Sequence, residues 1–174
     1  TYQQQYQLPD EKTGAGAYVQ GYYYSNDWSR TMFDVFTASD TAYAYAKENG
    51  YRKICLTNHL WDESVKSVDV WHEEQRFDFI TKALPLPQDE KVKFLFGAEA
   101  EMDYNFTLGV SYEHIDFFDF ITVSTTHLHL EGYTVKKRPS IPEEAAELWL
   151  KRFEELLKKD LPWHKIGVSH VTGT

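Results

Sequence analysis

Short apolar runs alternate with longer amphipathic stretches along the 174-residue chain. Short apolar runs bounded by polar or turn residues are typical of buried strands. We predict strands over residues 17–24 (AYVQGYYY), 51–56 (YRKICL), 92–96 (VKFLF), 119–124 (DFITVS) and 166–169 (IGVS). Helical patterns cover residues 41–50, 72–84 and 141–159. This alternation predicts parallel strands joined by helical crossovers, as in an α/β sheet or barrel.

The length of the chain is that of one average domain. Residues 1–16 are polar and rich in glutamine, and we expect them to form a loosely held N-terminal arm. Residues 17–174 contain all the predicted strands and helices, so we assign the α/β domain to them.

The formal net charge of −9 argues against a general binder of nucleic acids or anionic membranes, because phosphate groups attract basic surfaces. No apolar run reaches the roughly 18 residues that a membrane span needs, and the N-terminal residues lack the features of a signal peptide. Cys55 is the only cysteine, which excludes an intrachain disulfide and a cysteine-rich zinc site. We therefore expect a cytoplasmic protein with neither a membrane nor a nucleic acid as partner.

Histidine and carboxylate side chains follow each predicted strand in turn. They are Asp27 after the first strand, His59 after the second, Glu99, Glu101 and Asp103 after the third, His127 and His129 after the fourth, and His170 after the fifth. The carboxyl ends of parallel strands meet at one edge of a sheet or one mouth of a barrel. We therefore expect these side chains to converge.

Each of these residues also has an ordinary structural explanation when it is taken alone. A single histidine at a strand end is more often a hydrogen-bonded core or loop residue than a ligand. By default, the acidic residues after the third strand form a solvated turn. His127 and His129 would share one face of an extended chain, so that one of the two could be only a neighbour. Structural or surface positions are expected for His72, His114 and His164, and exposed positions for Asp62, Glu63, Glu73 and Glu74.

Taken together, the residues are harder to explain as independent structural groups. Three imidazoles and two carboxylates at one mouth are the ligands expected for zinc, manganese or iron. Without a metal ion the carboxylates would repel one another, and buried histidines without partners would be costly. We therefore predict a metal site formed by Asp27, His59, Glu99, His127 and His170.

Four short motifs resemble those of the PHP (polymerase and histidinol phosphatase) family of metallohydrolases, in the family's order. LTNH at 56–59 resembles a hydrophobic-Thr-Asp-His motif, with Asn58 in the place of the aspartate. GAE at 97–99 is similar to a Gly-x-Glu motif, and ITVSTTH at 121–127 is similar to a strand followed by Ser-x-His, with one extra residue. GVSH at 167–170 resembles an Ala-His-Pro segment, with Val171 in the place of the proline.

The resemblance implies a distorted, TIM-like (β/α)7 barrel with up to three metal ions at its C-terminal mouth. By position, Glu99 would bridge two ions, and His127 and His170 would hold one of these. His59 would bind a third ion, and Asp27 lies where the family often supplies another ligand for it.

Two departures from the family pattern alter this expectation. The family's early His-x-His pair falls on Val19 and Gly21, neither of which can bind a metal through its side chain. The family's late Asp-x-His lies beyond Thr174, so the barrel is expected to be incomplete at the C-terminus of this chain.

The function implied by the resemblance is hydrolysis of a small phosphomonoester by a hydroxide that two or three divalent ions (Zn, Mn or Fe) activate. A small phosphorylated substrate is favoured because no basic track for a polynucleotide is evident. Three alternatives stay open at this point. The chain could be a phosphodiesterase or nuclease of the same family, a catalytically impaired metal-binding or scaffold module, or a protein in which the histidines are purely structural.

Overall fold

The computed structural model describes residues 3–8, 16–21, 52–67, 75–86 and 88–169. Six strands form one sheet in the order of the sequence. They are β1 (Gln3–Leu8), β2 (Gly16–Gly21), β3 (Lys53–Leu60), β4 (Lys93–Ala100), β5 (Phe120–Ser124) and β6 (Ile166–Ser169). β2 to β6 pair in parallel, each with the next, and β1 pairs antiparallel with β2. The predicted α/β class with parallel strands is therefore confirmed, and the predicted N-terminal arm contains the edge strand β1.

Within the described ranges, the helices that connect the strands are fewer and shorter than the predicted helical crossovers. The α-helices are α1 (Phe77–Ile80) and α2 (Pro142–Leu157), and the 3₁₀ helices are η1 (Thr81–Ala83), η2 (Ile115–Phe117) and η3 (Trp163–Lys165). The helix predicted over 141–159 is confirmed as α2, whose first turn contains Glu143 and Glu144. Of the helix predicted over 72–84, the structure shows α1 and η1 over residues 77–83, while residues 72–74 and the helix predicted over 41–50 lie outside the described residues. Across those same ranges, no helix has the length and apolar character to span a bilayer.

β3 and β4 are longer than predicted, which corrects the expected positions of two site residues. The strands predicted to end at residues 56 and 96 continue to Leu60 and Ala100. His59 and Glu99 therefore lie inside the strands and are register partners in the ladder, instead of following the strand ends. Side chains alternate between the two faces of a strand. Leu60 and Ala100 therefore enter the core while their polar neighbours face the other side, and the ladder can continue through them.

The two faces of the sheet differ in chemical character. One face packs against the helices and forms the apolar core, which includes Leu60, Phe96, Ala98, Ala100, Phe118, Ile121, Val123, Leu156 and Leu161. Side chains alternate along a strand, so the residues between the core positions belong to the other face. Small and polar residues predominate in the register rows of that face. One such row runs through His59, Glu99 and Thr122. The site described below lies on this second face.

Gly97 allows β3, β4 and β5 to approach closely beneath the site. A Cβ atom at this position would lie 2.5 Å from Cys55 Sγ and 2.6 Å from the carbonyl oxygen of Phe120. The second contact is with main chain, so it cannot be relieved by a change of rotamer. The glycine of the GAE motif is thus required by packing, whatever the chemistry of Glu99.

Candidate metal centre

Three of the predicted ligands meet at the carboxyl ends of adjacent strands. His59 belongs to β3, Glu99 to β4, and His127 to the loop that follows β5. One ligand atom from each of the three lies within 4.8 Å of the other two. Nε2 of His59 lies 3.9 Å from Oε2 of Glu99, and Nε2 of His127 lies 3.9 Å from its Oε1. Two imidazoles therefore turn the same ring nitrogen toward one carboxylate.

Glu101 holds both imidazoles in this orientation. Its Oε1 lies 2.8 Å from Nδ1 of His59, and both of its oxygens lie 2.9 Å from Nδ1 of His127. The side chain is only 2% exposed, so the prediction that Glu101 belongs to a solvated acidic turn is wrong. A histidine that ligates a metal commonly donates its other ring N–H to a carboxylate, which fixes the tautomer and the ring orientation. Glu101 has this arrangement with two histidines at once.

Two serine hydroxyls hold the carboxylate of Glu99. It is fully buried, and its Oε1 accepts hydrogen bonds from the hydroxyls of Ser124 and Ser169, the latter at 2.9 Å. The two serines are register partners at the ends of β5 and β6, and their hydroxyl oxygens lie 2.9 Å apart. The serines stand inside the VSTTH and GVSH motifs, so their positions were visible in the sequence although their role was not.

The charges of the cluster are balanced by protons on the imidazoles. Burial alone would lower the pKa of His59, but the hydrogen bond to Glu101 and the charges of Glu99 and Glu101 raise it to about 9. Burial opposes protonation of His127 as well, yet the same two carboxylates raise its pKa. Burial would raise the pKa of Glu101, but the His127 charge and the two imidazole hydrogen bonds bring it far below its usual range. The imidazolium protons thus occupy the place where a cation would neutralise the two carboxylates.

The donor set fits a single transition-metal ion. Two imidazole nitrogens and a carboxylate oxygen are ligands that zinc, manganese and iron accept. With metal–ligand bonds of about 2.0–2.1 Å, ligand atoms of a tetrahedral site lie roughly 3.4 Å apart. The two 3.9 Å separations end on different oxygens of Glu99, and the ligand atoms that the three residues offer lie within 4.8 Å of one another. Binding one ion would therefore require these atoms to approach one another by up to about 1.4 Å. Metal binding would require each imidazole to lose its Nε2 proton, after which Nδ1–H donation to Glu101 leaves the Nε2 lone pair on the side of the ring that faces Glu99.

The structure does not describe two of the predicted ligands, and it distinguishes between the two neighbouring histidines. Asp27 and His170 lie outside the described residues, so their place in the site stays a prediction. Between His127 and His129, the cluster contains His127. His129 is exposed and meets the ring of His127 edge-on, with the ring centres 5.5 Å apart.

Asp103 is a structural residue, and its expected exposure is wrong. It is 1% exposed, and its Oδ1 accepts hydrogen bonds from the amides of Asn105 at 2.9 Å and Thr107 at 2.8 Å. The carboxylate therefore closes the turn that follows β4, where Phe106 adopts a positive φ of 64°. The sequence signal for this role is the short spacing of an aspartate before turn residues.

Asp62 is likewise buried, which corrects the expectation of an exposed charge. It is fully enclosed and accepts hydrogen bonds from Ser64 N at 2.9 Å, Ser64 Oγ at 2.6 Å, Ser111 N at 3.1 Å and His114 Nδ1 at 2.7 Å. The ring of His114 stacks on Phe77, with ring centres 3.7 Å apart and 7° between the planes. His114 is thus structural, as predicted, and Glu63 and His164 are exposed, as predicted.

Comparison with family models, curated proteins and solved structures finds no match to this chain. The resemblance to the PHP family therefore stays a prediction from the four motifs. The functional inference depends on the geometry of His59, Glu99 and His127 and on the residues that hold them.

Proposed function

We propose that the chain is a metal-dependent phosphoesterase of the PHP type whose metal centre is built on His59, Glu99 and His127. The observation that supports it is the shared orientation of the two imidazoles. Glu101 binds Nδ1 of both, and Nε2 of both faces Glu99. Two imidazole nitrogens and a carboxylate oxygen that face one another are donors that one transition-metal ion accepts.

The chain's own residues would prepare the site for a cation. Glu99 supplies negative charge, Glu101 sets the tautomer of both imidazoles, and the hydroxyls of Ser124 and Ser169 fix the carboxylate of Glu99. A bound divalent ion would lower the pKa of the water bound to it, so that hydroxide is available at neutral pH. It would also offset the negative charge of a phosphate ester. This explains how a chain with a net charge of −9 could act on an anionic small phosphomonoester.

The sheet topology supports the barrel that this assignment implies. The parallel strands β2 to β6 follow the order of the sequence. In doubly wound sheets the strand order reverses at a switch point, whereas in barrels each strand neighbours the next along the chain. We propose that these strands belong to a TIM-like barrel of the PHP type.

A non-catalytic metal-binding module is the second candidate. Val19 and Gly21 occupy the places of the family's early histidine pair, and both lie in β2. A site that lacks these two ligands could bind an ion without activating a substrate. This candidate shares the metal centre with the first, and the two differ only in turnover.

Metal content tests the centre itself. The protein, purified without chelator, is expected to contain at least one transition-metal ion per chain, measured by elemental analysis. His127→Ala and Glu99→Gln are expected to remove most of it, since the first deletes a donor of the cluster and the second removes the negative charge of another. His164→Ala, which changes an exposed histidine of η3, is the matched control and should leave metal content unchanged. Metal-free wild-type protein would refute the metallohydrolase assignment.

Activity separates the two candidates. Wild-type protein supplied with manganese or zinc is expected to hydrolyse members of a panel of phosphomonoesters, and His127→Ala should abolish this hydrolysis. Phosphate release is the readout, with the His164→Ala variant again as control. Stoichiometric metal together with no turnover on the whole panel would favour the non-catalytic module.

A further inference from the structure

Arg152 is a fully buried cation on α2, and it lies against the loops that carry the site. Its Nε donates to the carbonyl oxygen of Thr125 at 2.8 Å, its Nη1 to that of Thr134 at 2.6 Å, and its Nη2 to that of Met102 at 2.8 Å. Longer contacts reach the carbonyl oxygens of Asp103 at 3.4 Å and Ser124 at 3.5 Å. Every one of these acceptors belongs to the main chain.

The burial of this charge calls for a reason, because enclosing a cation is costly. Burial lowers the pKa of Arg152 to about 10, while the charges of Glu101 and Asp103 act to raise it, so the guanidinium stays cationic at neutral pH. Attachment of α2 to the sheet does not require a charge. Leu156, one turn later on the same helix, is also fully buried and packs in the apolar core.

The acceptors of Arg152 adjoin the groups that hold the metal centre together. Met102 directly follows Glu101, the carboxylate shared by both imidazoles. Ser124 uses its hydroxyl to hold Glu99. The hydroxyl of Thr134 donates to the carbonyl oxygen of His127, while the carbonyl oxygen of Thr134 accepts from Arg152.

We propose that Arg152 is a positioning residue, which fixes the loops after β4 and β5 so that Glu101 and His127 meet in the orientation the metal centre requires. A guanidinium suits this role because its planar fork presents donors in several fixed directions, whereas a lysine is a single point charge. The inference rests on the proposed function, because it gives Glu101 and His127 the roles assigned to them there.

Nuclear magnetic resonance of the histidine side chains in chelator-treated protein tests the inference without any metal. In wild-type protein at pH 7 we expect protected Nδ1–H signals from His59 and His127, since both donate to a buried carboxylate. Arg152→Met removes the fork and keeps an unbranched apolar side chain. We expect it to lose or broaden both signals and to reduce affinity for added zinc by tenfold or more.

Leu156→Ala is the matched control. It also changes a fully buried residue of α2, but one that belongs to the apolar core and offers no hydrogen-bond donor to the main chain of the loops. We expect a lower melting temperature with both Nδ1–H signals and the zinc affinity retained. Arg152→Lys keeps the charge without the fork, so it should behave as Arg152→Met does. Retention of both signals in Arg152→Lys would overturn the geometric part of the proposal.

Thr134→Val covers the case in which the arginine variants fail to fold. It removes the hydroxyl that links the Arg152-held loop to the carbonyl oxygen of His127 and keeps the volume of the side chain. The His127 signal should weaken while the His59 signal stays, because only the first depends on this loop. Unchanged signals for both histidines in a folded Arg152→Met would refute the role of Arg152, and so would unchanged signals in Thr134→Val where the arginine variants do not fold. Absence of zinc binding in wild-type protein, with the signals behaving as expected, would refute only the proposed function.

Discussion

Two buried carboxylates hold histidines in this protein, and they do so to different ends. Asp62, after β3, binds Nδ1 of His114 at 2.7 Å, and Glu101, after β4, binds Nδ1 of His59 at 2.8 Å and of His127 at 2.9 Å. Both arrangements look alike as carboxylate–imidazole pairs. They differ in what else the carboxylate binds and in what the histidines face.

The remaining hydrogen bonds explain the difference. Asp62 also accepts two main-chain amides and a serine hydroxyl, and its histidine lies flat on Phe77, so the group joins two loops to the core. Glu101 is the common partner of two imidazoles, and these face the third donor Glu99. A carboxylate–histidine pair is therefore not by itself evidence of a metal centre. Convergence of several donors on one point is the informative feature.

The largest effect is expected from Asp62→Ala, on stability. The change leaves four donors in and around a buried site without their acceptor, which should cost about 3 kcal/mol of unfolding free energy. Urea denaturation measures this cost, and zinc affinity of the folded protein should be unchanged. Glu113→Ala, an exposed neighbour of His114, is the charge-matched control. Loss of zinc binding in folded Asp62→Ala would show that the two carboxylates do not have separate roles.

Glu101→Gln is expected to have the next largest effect, on metal affinity. A glutamine offers one acceptor oxygen where two imidazole N–H groups need one each. One ring therefore loses the hydrogen bond that fixes its tautomer. Loss of such a supporting partner commonly lowers metal affinity roughly 10–100-fold. Competition with a chromophoric chelator measures the change, with Glu113→Gln as control. Wild-type affinity in Glu101→Gln would remove the reason for treating Glu101 and Asp62 differently.

The histidines that Glu101 holds and the carboxylate of Asp62 should also lose their contributions to stability at opposite ends of the pH range. The pKa of His59 is about 9 in the folded chain against an ordinary 6.5, so its contribution to stability is full below pH 6.5 and is lost as the pH rises through 9. The raised pKa of His127 acts in the same direction. Chemical denaturation of chelator-treated protein between pH 6 and 10 should show this decline. His59→Gln should flatten it, and an undiminished decline in that variant would assign it to other groups.

The lowered pKa of Asp62 predicts a loss of stability at low pH. Burial would raise its pKa, but its hydrogen bonds lower it to about 2 from an ordinary 3.8. Its contribution to stability is therefore present above pH 3.8 and is lost as the pH falls through 2. The same denaturation series, extended to low pH, should show a smaller acid dependence in Asp62→Asn than in the wild type.

The smallest effect is expected from His129→Ala. The residue is exposed and only meets His127 edge-on, so stability should change by less than about 0.5 kcal/mol and zinc affinity by less than about threefold. Melting temperature and chelator competition check both numbers. A large loss of zinc affinity would make His129 a ligand and reverse the choice between the two histidines.

The sequence predicted the parallel sheet and the meeting of His59, Glu99 and His127, because these depend on local patterns. Strand runs are visible as apolar stretches, and parallel strands bring their carboxyl ends together. The true strand ends were not visible, since the runs of large apolar residues stop at residues 56 and 96, while the ladder continues through Thr57, Asn58 and His59 to Leu60 and through small residues and Glu99 to Ala100. That continuation depends on pairing with the neighbouring strand.

The supporting carboxylates could not be recognised in the same way. Glu101, Asp103 and Asp62 have the composition of an acidic surface turn, yet all three are buried. Asp103 binds nearby amides of its own turn, whereas Glu101 and Asp62 find donors far away in sequence. Glu101 meets His59 and His127 at separations of 42 and 26 residues. Arg152 was similarly hidden, since its main-chain acceptors lie 18 to 50 residues away. Long-range partners of this kind leave no local signature.

The pairing of His59 with Glu99 across the β3–β4 ladder, and of Ser124 with Ser169 across β5–β6, has a consequence for folding fidelity. A strand shifted by a single residue turns every side chain to the opposite face. Such a slip in β3 would send His59 toward the apolar core and Leu60 toward Glu99, so a misregistered sheet would have no cluster. Any ligand that needs all three donors would bind only the correctly aligned chain and stabilise it by mass action. Recovery of binding during refolding would therefore count correctly registered molecules, which circular dichroism cannot distinguish from shifted ones.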